Sequence, residues 1–334
     1  MPPLRRFRGP WLMILTLALL TLGCGDESAP GLPPEVSRQA QSVKAKPGVR
    51  PIRIGAVLPM FSHPFFIALK RGLETKARAL DIGIDVRDGQ DDDRMQISQV
   101  QALVNVGCDA LILCPRDEDA LIPAVEAANR ARVPVITLNR RVNAGRVLAY
   151  VGADDAEGGR AQAQALVEAL GSKGGSIIYL EGSQGSSPQR QRAEGFHAII
   201  DTIRDIRIID DRFADFREDR AKTVMSGLVR RFRPEEVQAI VAQSDEMALP
   251  AAEVARAEGW NKVIVIGFDG TEAAFDAIKA GTLHATVLQD AAQQGEWAVE
   301  AAVDHLRGKR IPPEKITPLP VVTKANVHEY KPGY

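Results

Sequence analysis

Two kinds of segment alternate along residues 52–306 of this chain. Short β-branched apolar runs are typical of buried strands, and longer alanine-rich stretches between them carry apolar residues at helical spacing. This alternation predicts an α/β fold of parallel sheets covered by helices on both faces, with right-handed crossovers. The predicted strands are 52–58, 110–113, 133–138, 176–180, 239–242, 263–267 and 286–288, and the predicted helices are 64–80, 95–106, 119–131, 157–170, 189–203, 218–232, 246–258 and 291–306.

Size and composition narrow the class of protein further. A length of 334 residues suggests two domains of ordinary size. Hydrophobic residues make up 45% and charged residues 25%, which excludes a fibrous or mainly disordered chain. Because 42 basic residues are balanced by 43 acidic ones, no overall positive field exists to hold a nucleic acid. Asp117, Asp154 and Thr271 stand where helix N-caps are needed.

The first fifty residues differ from the rest of the chain. Three arginines precede an uncharged run from Trp11 to Gly23, which is too short to span a bilayer but has the length of a signal-peptide apolar region. Residues 1–23 are therefore predicted to be an export signal. Residues 24–50 are rich in Pro, Ser, Gln and Ala and hold little apolar material, so they predict a flexible linker.

The predicted export signal ends in the run Leu-Thr-Leu-Gly-Cys at 20–24. This run resembles the bacterial lipoprotein box, in which the thiol corresponding to Cys24 receives a diacylglycerol. The box usually has Leu where this chain has Thr21, so an ordinary secretory signal is the alternative. Of the other cysteines, Cys108 and Cys114 bracket a predicted strand that would hold their Cα atoms about 20 Å apart, too far for a disulfide.

Polar residues follow nearly every predicted strand. In an open parallel sheet, ligands bind at the carboxyl ends of the strands, so these residues indicate the chemistry of the site. Planar donors, a carboxylate and flat apolar faces suit a neutral polyol better than a metal or a reactive carbonyl. The segments concerned are 61–66, 114–117, 139–141, 181–190, 243–246, 268–270 and 289–290.

Five motifs in order along the chain carry a family resemblance. They are Pro64-Phe65-Phe66, Pro-Val-Ile-Thr-Leu-Asn-Arg at 134–140, Glu194-Gly195-Phe196, Gln-Ser-Asp-Glu-Met-Ala-Leu at 243–249 and Ile-Gly-Phe-Asp-Gly-Thr at 266–271. With these motifs, residues 52 to about 322 resemble the periplasmic sugar-binding proteins of ABC importers. The resemblance is to the ribose-binding type I group, which is related to the effector domain of lactose-repressor-type regulators.

The resemblance implies two lobes, each a parallel sheet flanked by helices, that close around a sugar by hinge motion. The N-terminal lobe would comprise 51–153 plus 290–318, and the C-terminal lobe 154–289 plus 319–330. The chain would cross between the lobes near 153–154, near 289–290 and near 319.

The resemblance also implies a set of ligand-binding residues. Phe65 and Phe66 from one lobe and Phe216 from the other would sandwich the C–H faces of a sugar ring, although the first two could also be core residues that open a helix. Two arginines would donate pairs of hydrogen bonds, a carboxylate would accept from two hydroxyls, and an amide would lie at a hinge crossing. The full set is His63, Phe65, Phe66, Cys114, Asn139, Arg140, Arg190, Phe216, Ser244, Asp269 and Gln289.

Four of these positions depart from the ribose-binding pattern. His63, Cys114 and Ser244 stand where the ribose binders have asparagine, and Asn139 stands where they have aspartate. Ribose itself is therefore in doubt. With two arginines and one carboxylate the pocket has a formal charge of +1, so we expect either a differently configured sugar or polyol, or a sugar acid. A neutral imidazole is the simplest interpretation of His63.

The function predicted first is an extracytoplasmic receptor that delivers its solute to an ABC permease, as a lipid-anchored monomer. A chemotaxis or signalling partner could read the same closed form instead. A repressor-type effector domain is disfavoured because a signal peptide occupies the place of the DNA-reading helices, and an enzyme because no catalytic nucleophile is found. The histidines are scattered, so they predict no metal site. The Asp91-Asp92-Asp93 run lacks the alternating oxygen ligands of a calcium loop and suits a helix start. No metal or cofactor is therefore predicted.

Overall fold

The computed structural model describes residues 51–334. The predicted export signal, the predicted lipidation site Cys24 and the predicted linker therefore lie outside the described residues. Within residues 51–334, two six-stranded sheets form, and no helix is both long and apolar enough to cross a membrane.

The first sheet and its helices make up the N-terminal lobe. All its strand pairs are parallel, in the order β11-β5-β4-β3-β1-β2. Its strands are β1 (Arg53–Leu58), β2 (Gly83–Asp88), β3 (Ala110–Leu113), β4 (Val135–Leu138), β5 (Ala149–Gly152) and β11 (Glu314–Ile316), and its helices are α1 (Pro64–Ala79), α2 (Asp93–Asn105), α3 (Ile122–Arg130) and α9 (Ala291–Leu306).

The second sheet and its helices make up the C-terminal lobe. The order is β12-β10-β9-β8-β6-β7, parallel except for the antiparallel pair of β10 and β12. Its strands are β6 (Gly175–Glu181), β7 (Ile206–Phe213), β8 (Ala239–Ala242), β9 (Ile264–Asp269), β10 (Ala285–Leu288) and β12 (Val321–Thr323), and its helices are α4 (Asp155–Leu170), α5 (Ser187–Ile200), α6 (Glu218–Arg231), α7 (Asp245–Ala257) and α8 (Glu272–Ala280).

The chain passes between the two sheets three times, after β5, after β10 and after β11. The two-lobed α/β fold expected from the sequence is thus confirmed, while the residue limits given above for the lobes and the linker stay predictions. Each sheet is apolar on both faces because helices cover both sides. In β3, for example, Ala110 and Ile112 join one core cluster and Leu111 and Leu113 join another.

Most of the helices begin directly after a polar residue. Asp154 and Thr271 are confirmed as N-caps, because their side chains accept from the backbone N–H groups of Glu157 and Ala274. The prediction for Asp117 is wrong. Its carboxylate accepts from the N–H groups of the two residues at 119 and 120, so it closes a turn, and α3 begins only at Ile122.

In each lobe, two helices cross with their backbones in contact at glycines. A methyl group on Gly72 of α1 would lie 2.0 Å from the carbonyl oxygen of Ala292 in α9. In the other lobe, a methyl group on Gly195 of α5 would lie 1.9 Å from the carbonyl oxygen of Ala156 in α4. These crossings fix α1 and α5 at a distance that only glycine permits, and both helices begin at the edge of the interlobe cleft.

We predict that Gly72→Ala destabilises the protein by about 1–3 kcal/mol, because the added methyl group must push two helices apart. The control is Gly227→Ala in the exposed face of α6, where a methyl group meets nothing within 4 Å. That control should be neutral or stabilising by up to about 1 kcal/mol, since alanine favours helix. Chemical denaturation of both variants checks this, and equal stability of the two would contradict the close approach.

Candidate binding cleft

A cleft lies between the lobes, where the carboxyl ends of both sheets face each other. Its free space is about 490 Å³, counting the part that opens to solvent. The N-terminal lobe contributes Met60, His63, Phe65, Phe66, Asp91, Asn139 and Arg140, and the other wall, including the second crossing, consists of Ser183, Pro188, Arg192, Asp215, Phe216, Ser244, Asp269 and Gln289. Nine of the eleven predicted residues are brought together here, and Cys114 and Arg190 are not among them.

Aromatic rings cover both walls of the cleft. Phe65 and Phe66 lie edge-on to each other, with ring centroids 5.6 Å apart, and both also belong to the core of the N-terminal lobe. Phe65 and Phe66 are thus core residues of the N-terminal lobe and lining residues of the cleft at the same time. Opposite them, the Phe216 ring packs directly on Gly182, where a methyl group would lie 1.9 Å from the ring. The guanidinium of Arg140 lies 5.2 Å from the Phe66 ring and 5.8 Å from the Phe216 ring.

Arg140 is buried at the end of β4 and has spare hydrogen-bonding capacity. One of its Nη atoms donates to the carbonyl of Arg116 at 3.1 Å, and its Nε has no partner among the described residues. Burial lowers the pKa of Arg140. An unpaired buried N–H of this kind is costly unless another molecule accepts from it.

Cys114 does not face the cleft, which corrects the prediction that it binds ligand. Its side chain is fully buried in the core of the N-terminal lobe, and its thiol is hydrogen-bonded to the backbone of Arg140. Burial raises the pKa of Cys114 to about 12, so the thiol is neutral. Cys114 therefore supports the backbone of Arg140 from the core of the N-terminal lobe.

Arg190 is also misassigned by the sequence, and Arg192 takes its place in the cleft. Nε and Nη2 of Arg190 donate to the Glu118 carboxylate at 2.8 and 3.1 Å, and Nη1 donates to Glu194 at 2.8 Å. Two residues along a helix correspond to a rotation of about 200°, so Arg190 and Arg192 lie on opposite sides of α5. Arg192 shares the buried side with Gly195 three residues on. Counting back three residues from Gly195 of the Glu194-Gly195-Phe196 motif would have identified Arg192 as the arginine on the buried side.

The Arg192 guanidinium is buried among carboxylates and carbonyls. Nε donates to Asp155 at 2.8 Å, and Nη1 donates to the carbonyl of Gln243 at 2.6 Å and lies 3.8 Å from Asp269. Its plane lies over the Phe268 ring, 3.5 Å from the centroid. These contacts hold Arg192 at the cleft wall.

A chain of amide hydrogen bonds joins the two lobes beneath the cleft. Asn139 donates to Gln294 at 3.1 Å, Gln294 donates to Gln289 at 3.1 Å, and Gln289 donates to Asp269 at 2.6 Å. Burial and the nearby Glu246 carboxylate raise the pKa of Asp269 to about 7. The hydroxyl oxygen of buried Ser244 has no partner among the described residues. The cleft thus presents fixed acceptors and donors from the C-terminal lobe.

His63 caps α1 and reaches across to the other lobe. Its Nδ1 accepts from the N–H of Phe65 at 3.2 Å, so the proton must be on Nε2, which donates to the carbonyl of Phe216 at 3.1 Å. Burial lowers the pKa of His63, which agrees with a neutral ring.

Backbone strain concentrates at the cleft. Within residues 51–334, eight non-glycine residues have positive φ, and five of them line the cleft: Asp91, Asn139, Asp215, Phe216 and Asp269. Such conformations cost about 1–3 kcal/mol each and cluster at functional sites.

Six residues that line the cleft were not predicted to bind ligand. They are Met60, Asp91, Ser183, Pro188, Arg192 and Asp215. Asp91 was instead assigned to a helix start, and its neighbour Asp92 is indeed the N-cap of α2.

Comparison with known proteins agrees with this geometry. The periplasmic binding protein domain matches residues 54–310. The chain is 36% identical to the ribose import binding protein RbsB of Bacillus subtilis (strain 168), covering 93% of this chain and 98% of that protein, and 34% identical to RbsB of Escherichia coli (strain K12), covering 81% and 90%. The solved myo-inositol binding protein of Caulobacter is 32% identical with a TM-score of 0.78, covering 83% and 95%. The chain belongs to the periplasmic binding protein family.

Periplasmic binding proteins are extracytoplasmic solute receptors and not enzymes. The cleft is therefore expected to bind a solute. In the part of the chain that the structure describes, no group of three or more His, Cys, Asp or Glu side chains is arranged to hold a metal ion.

This periplasmic binding protein is in a closed conformation, held by polar contacts at the rim. Glu118 of the N-terminal lobe pairs with Arg190 of α5, and its backbone N–H donates to the carbonyl of Gly185 at 2.9 Å. The N–H of Arg141 donates to Ser187 Oγ at 2.8 Å. Arg190 thus serves as an interlobe latch outside the cleft.

We predict that Glu118→Gln shifts this periplasmic binding protein toward an open form. The interlobe ion pair is worth up to about 1 kcal/mol because Arg190 is 44% exposed, so the closed-to-open ratio should fall by up to about fivefold. Small-angle scattering of the ligand-free protein should show a larger radius of gyration. Glu194→Gln removes the other partner of Arg190, within the same helix, and should leave the scattering unchanged. Identical profiles for the two variants would rule out the latch.

Proposed function

We propose that this periplasmic binding protein captures a neutral sugar or polyol between its lobes and delivers it to an ABC permease. The observation that carries the proposal is the arrangement of rings and hydrogen-bonding groups in one cleft. Phe66 and Phe216 offer flat apolar faces, while Arg140, Ser244 and Asp269 offer donors and acceptors. A polyhydroxylated ring has C–H faces and a hydroxylated edge, and therefore needs both kinds of contact.

The charges around the cleft favour a neutral ligand over a sugar acid. The count of +1 made from the sequence omitted buried neighbours. Arg192 is paired with Asp155, and Glu246 lies beside Asp269. Two arginines thus face three carboxyl groups, so the cleft carries no excess of positive charge that would favour an acidic ligand group. The relatives named above agree, since ribose and myo-inositol are neutral polyols.

Closure follows from where these groups lie. Arg140 and Phe66 move with one lobe, and Phe216 and Asp269 move with the other, so a ligand gains all its contacts only in the closed form. Ligand occupancy therefore shifts the population toward closure, and the permease distinguishes loaded from empty receptor by shape.

We propose in addition that the chain is a monomer attached to the membrane by a lipid anchor at Cys24. The lipoprotein box at 20–24 and the linker that follows it would hold the receptor near its permease. Replacement of Cys24 by Ser should release the protein from the membrane fraction.

We predict that neutral polyols bind and their acid forms do not. A thermal-shift panel, followed by calorimetric titration, should include D-ribose, D-allose, xylitol, myo-inositol and a hexuronate. A ligand present at about 100 times its Kd stabilises the native state by about 2.7 kcal/mol and therefore raises Tm. Tighter binding of the hexuronate than of every neutral compound would contradict the charge argument, and no binding at all would contradict the proposed function.

We also predict that Phe216→Ala weakens binding by about 10- to 100-fold, because an aromatic ring contributes about 1.5–3 kcal/mol when it is buried. Phe213→Ala is the matched control, since Phe213 lies three residues earlier and is 44% exposed. Its Kd should equal that of the unmodified protein. Equal losses in the two variants would show that Phe216 is not a ligand contact.

A further inference from the structure

Tyr334 lies directly behind the wall of the cleft and is not among its lining residues. Its backbone is fixed to the C-terminal lobe, because its carbonyl accepts from the N–H of Glu272 at 3.0 Å and the N–H of Gly333 donates to Gly270 at 2.8 Å. A methyl group on Gly333 would lie 2.2 Å from the carbonyl oxygen of Gln289. The segment therefore packs against the strand ends that present Asp269 and Gln289 to the cleft.

The Tyr334 hydroxyl meets two carboxyl groups. It donates to Glu246 Oε1 at 2.6 Å and lies 3.3 Å from Asp269 Oδ2. The carboxyl groups of Glu246 and Asp269 are therefore close neighbours, and the Glu246 charge helps to raise the pKa of Asp269. Two neighbouring buried carboxyl groups favour keeping one proton between them, because like charges repel. Tyr334 thus belongs to a three-membered network of which only Asp269 faces the ligand space.

The Tyr334 ring makes a contact with the other lobe. It packs edge-on against Phe65, with centroids 5.6 Å apart and planes at 80°. Phe65 lies at the start of α1 in the N-terminal lobe and lines the cleft. One side chain therefore touches the aromatic wall of one lobe and the carboxyl wall of the other.

We propose that Tyr334 is a positioning residue of the binding site, whose hydroxyl orients the Asp269 carboxyl toward the ligand and whose ring supports Phe65 in the closed form. The inference rests on the proposed function, in which Asp269 and Phe65 contact the ligand. It differs from a purely structural role because loss of the hydroxyl alone changes how the carboxyl pair holds its proton.

Several charged groups face Asp269, and they determine the direction of the pH effect. Glu246 and Asp245 face it from α7, Arg192 from α5 and His63 from the N-terminal lobe. Burial and Glu246 raise the pKa of Asp269 to about 7, against the opposite effects of Arg192 and His63. Burial raises the pKa of Glu246, and the Tyr334 hydroxyl opposes that rise.

The sign of the stability effect follows from linkage. A carboxyl group whose pKa is raised by folding stabilises the native state most below its unfolded pKa of about 4, and this contribution is lost as the pH rises through the folded pKa near 7. Without the Tyr334 hydroxyl, the pKa of Glu246 rises further and the pair keeps its proton to higher pH. The loss of stability should then occur at higher pH.

The test compares Tyr334→Phe with Tyr330→Phe. Both remove one hydroxyl from the same segment, but Tyr330 packs against the core of the C-terminal lobe. In thermal unfolding of ligand-free protein between pH 4 and 9, Tyr334→Phe should move the midpoint of the pH-dependent step upward by about one unit. Tyr330→Phe should leave that midpoint where it is in the unmodified protein.

Titration with D-ribose and myo-inositol as probes gives the second readout. Tyr334→Phe should raise Kd about tenfold near pH 7, Tyr334→Leu should raise it further because the ring is lost, and Tyr330→Phe should not change it. An unchanged unfolding midpoint or an unchanged Kd in Tyr334→Phe would overturn the proposal. If the unmodified protein binds neither these probes nor D-allose or xylitol, the proposed function fails, while the unfolding curves still decide whether Tyr334 governs the carboxyl pair.

Discussion

The buried ion pair of Arg192 and Asp155 is the interaction on which the cleft depends. Both side chains are almost wholly excluded from solvent, at 3% and 0% exposure. A buried charge is tolerated only with a partner and hydrogen bonds, and removal of one partner typically costs about 3–5 kcal/mol. Asp155 begins α4 immediately after the first crossing, where the helix dipole also favours a carboxylate. The pair therefore anchors Arg192, a lining residue of the cleft, to the start of the C-terminal lobe.

A buried polar network ties the three crossings together near that ion pair. Gln294 donates to Gln289 at the second crossing and to Thr317 at the third, and Thr317 donates to the carbonyl of Gly152 at the first. Neutral amides and hydroxyls can satisfy each other without the desolvation cost of charges. The hinge is thus held by directional hydrogen bonds that end at Asp269, so the geometry of the hinge is coupled to that of a carboxyl group in the cleft wall.

The sequence predicted the central strands and the long helices because continuous apolar runs and helical periodicity report burial directly. It missed β2, β7, β11 and β12, which lie at sheet edges, since an edge strand has only part of its surface in the core. It also missed β5 and α8, whose four and nine residues form only short patterns. Arg192 was missed because an error of two residues in helix register reverses the face. Tyr334 lies 65 residues from Asp269 along the chain, and no local pattern reports such a contact.

The strength of the interlobe contacts decides what controls closure. The latch between Glu118 and Arg190 joins a buried carboxylate to a guanidinium that is 44% exposed, and the His63 contact is one neutral hydrogen bond. Contacts of these kinds contribute about 1 kcal/mol each. With the backbone contacts of Glu118 and Arg141 at the rim, the sum is about 4 kcal/mol, whereas micromolar binding corresponds to about 8 kcal/mol. The lobes are therefore held together weakly enough to separate and admit a ligand, while a bound ligand dominates the balance and keeps them closed.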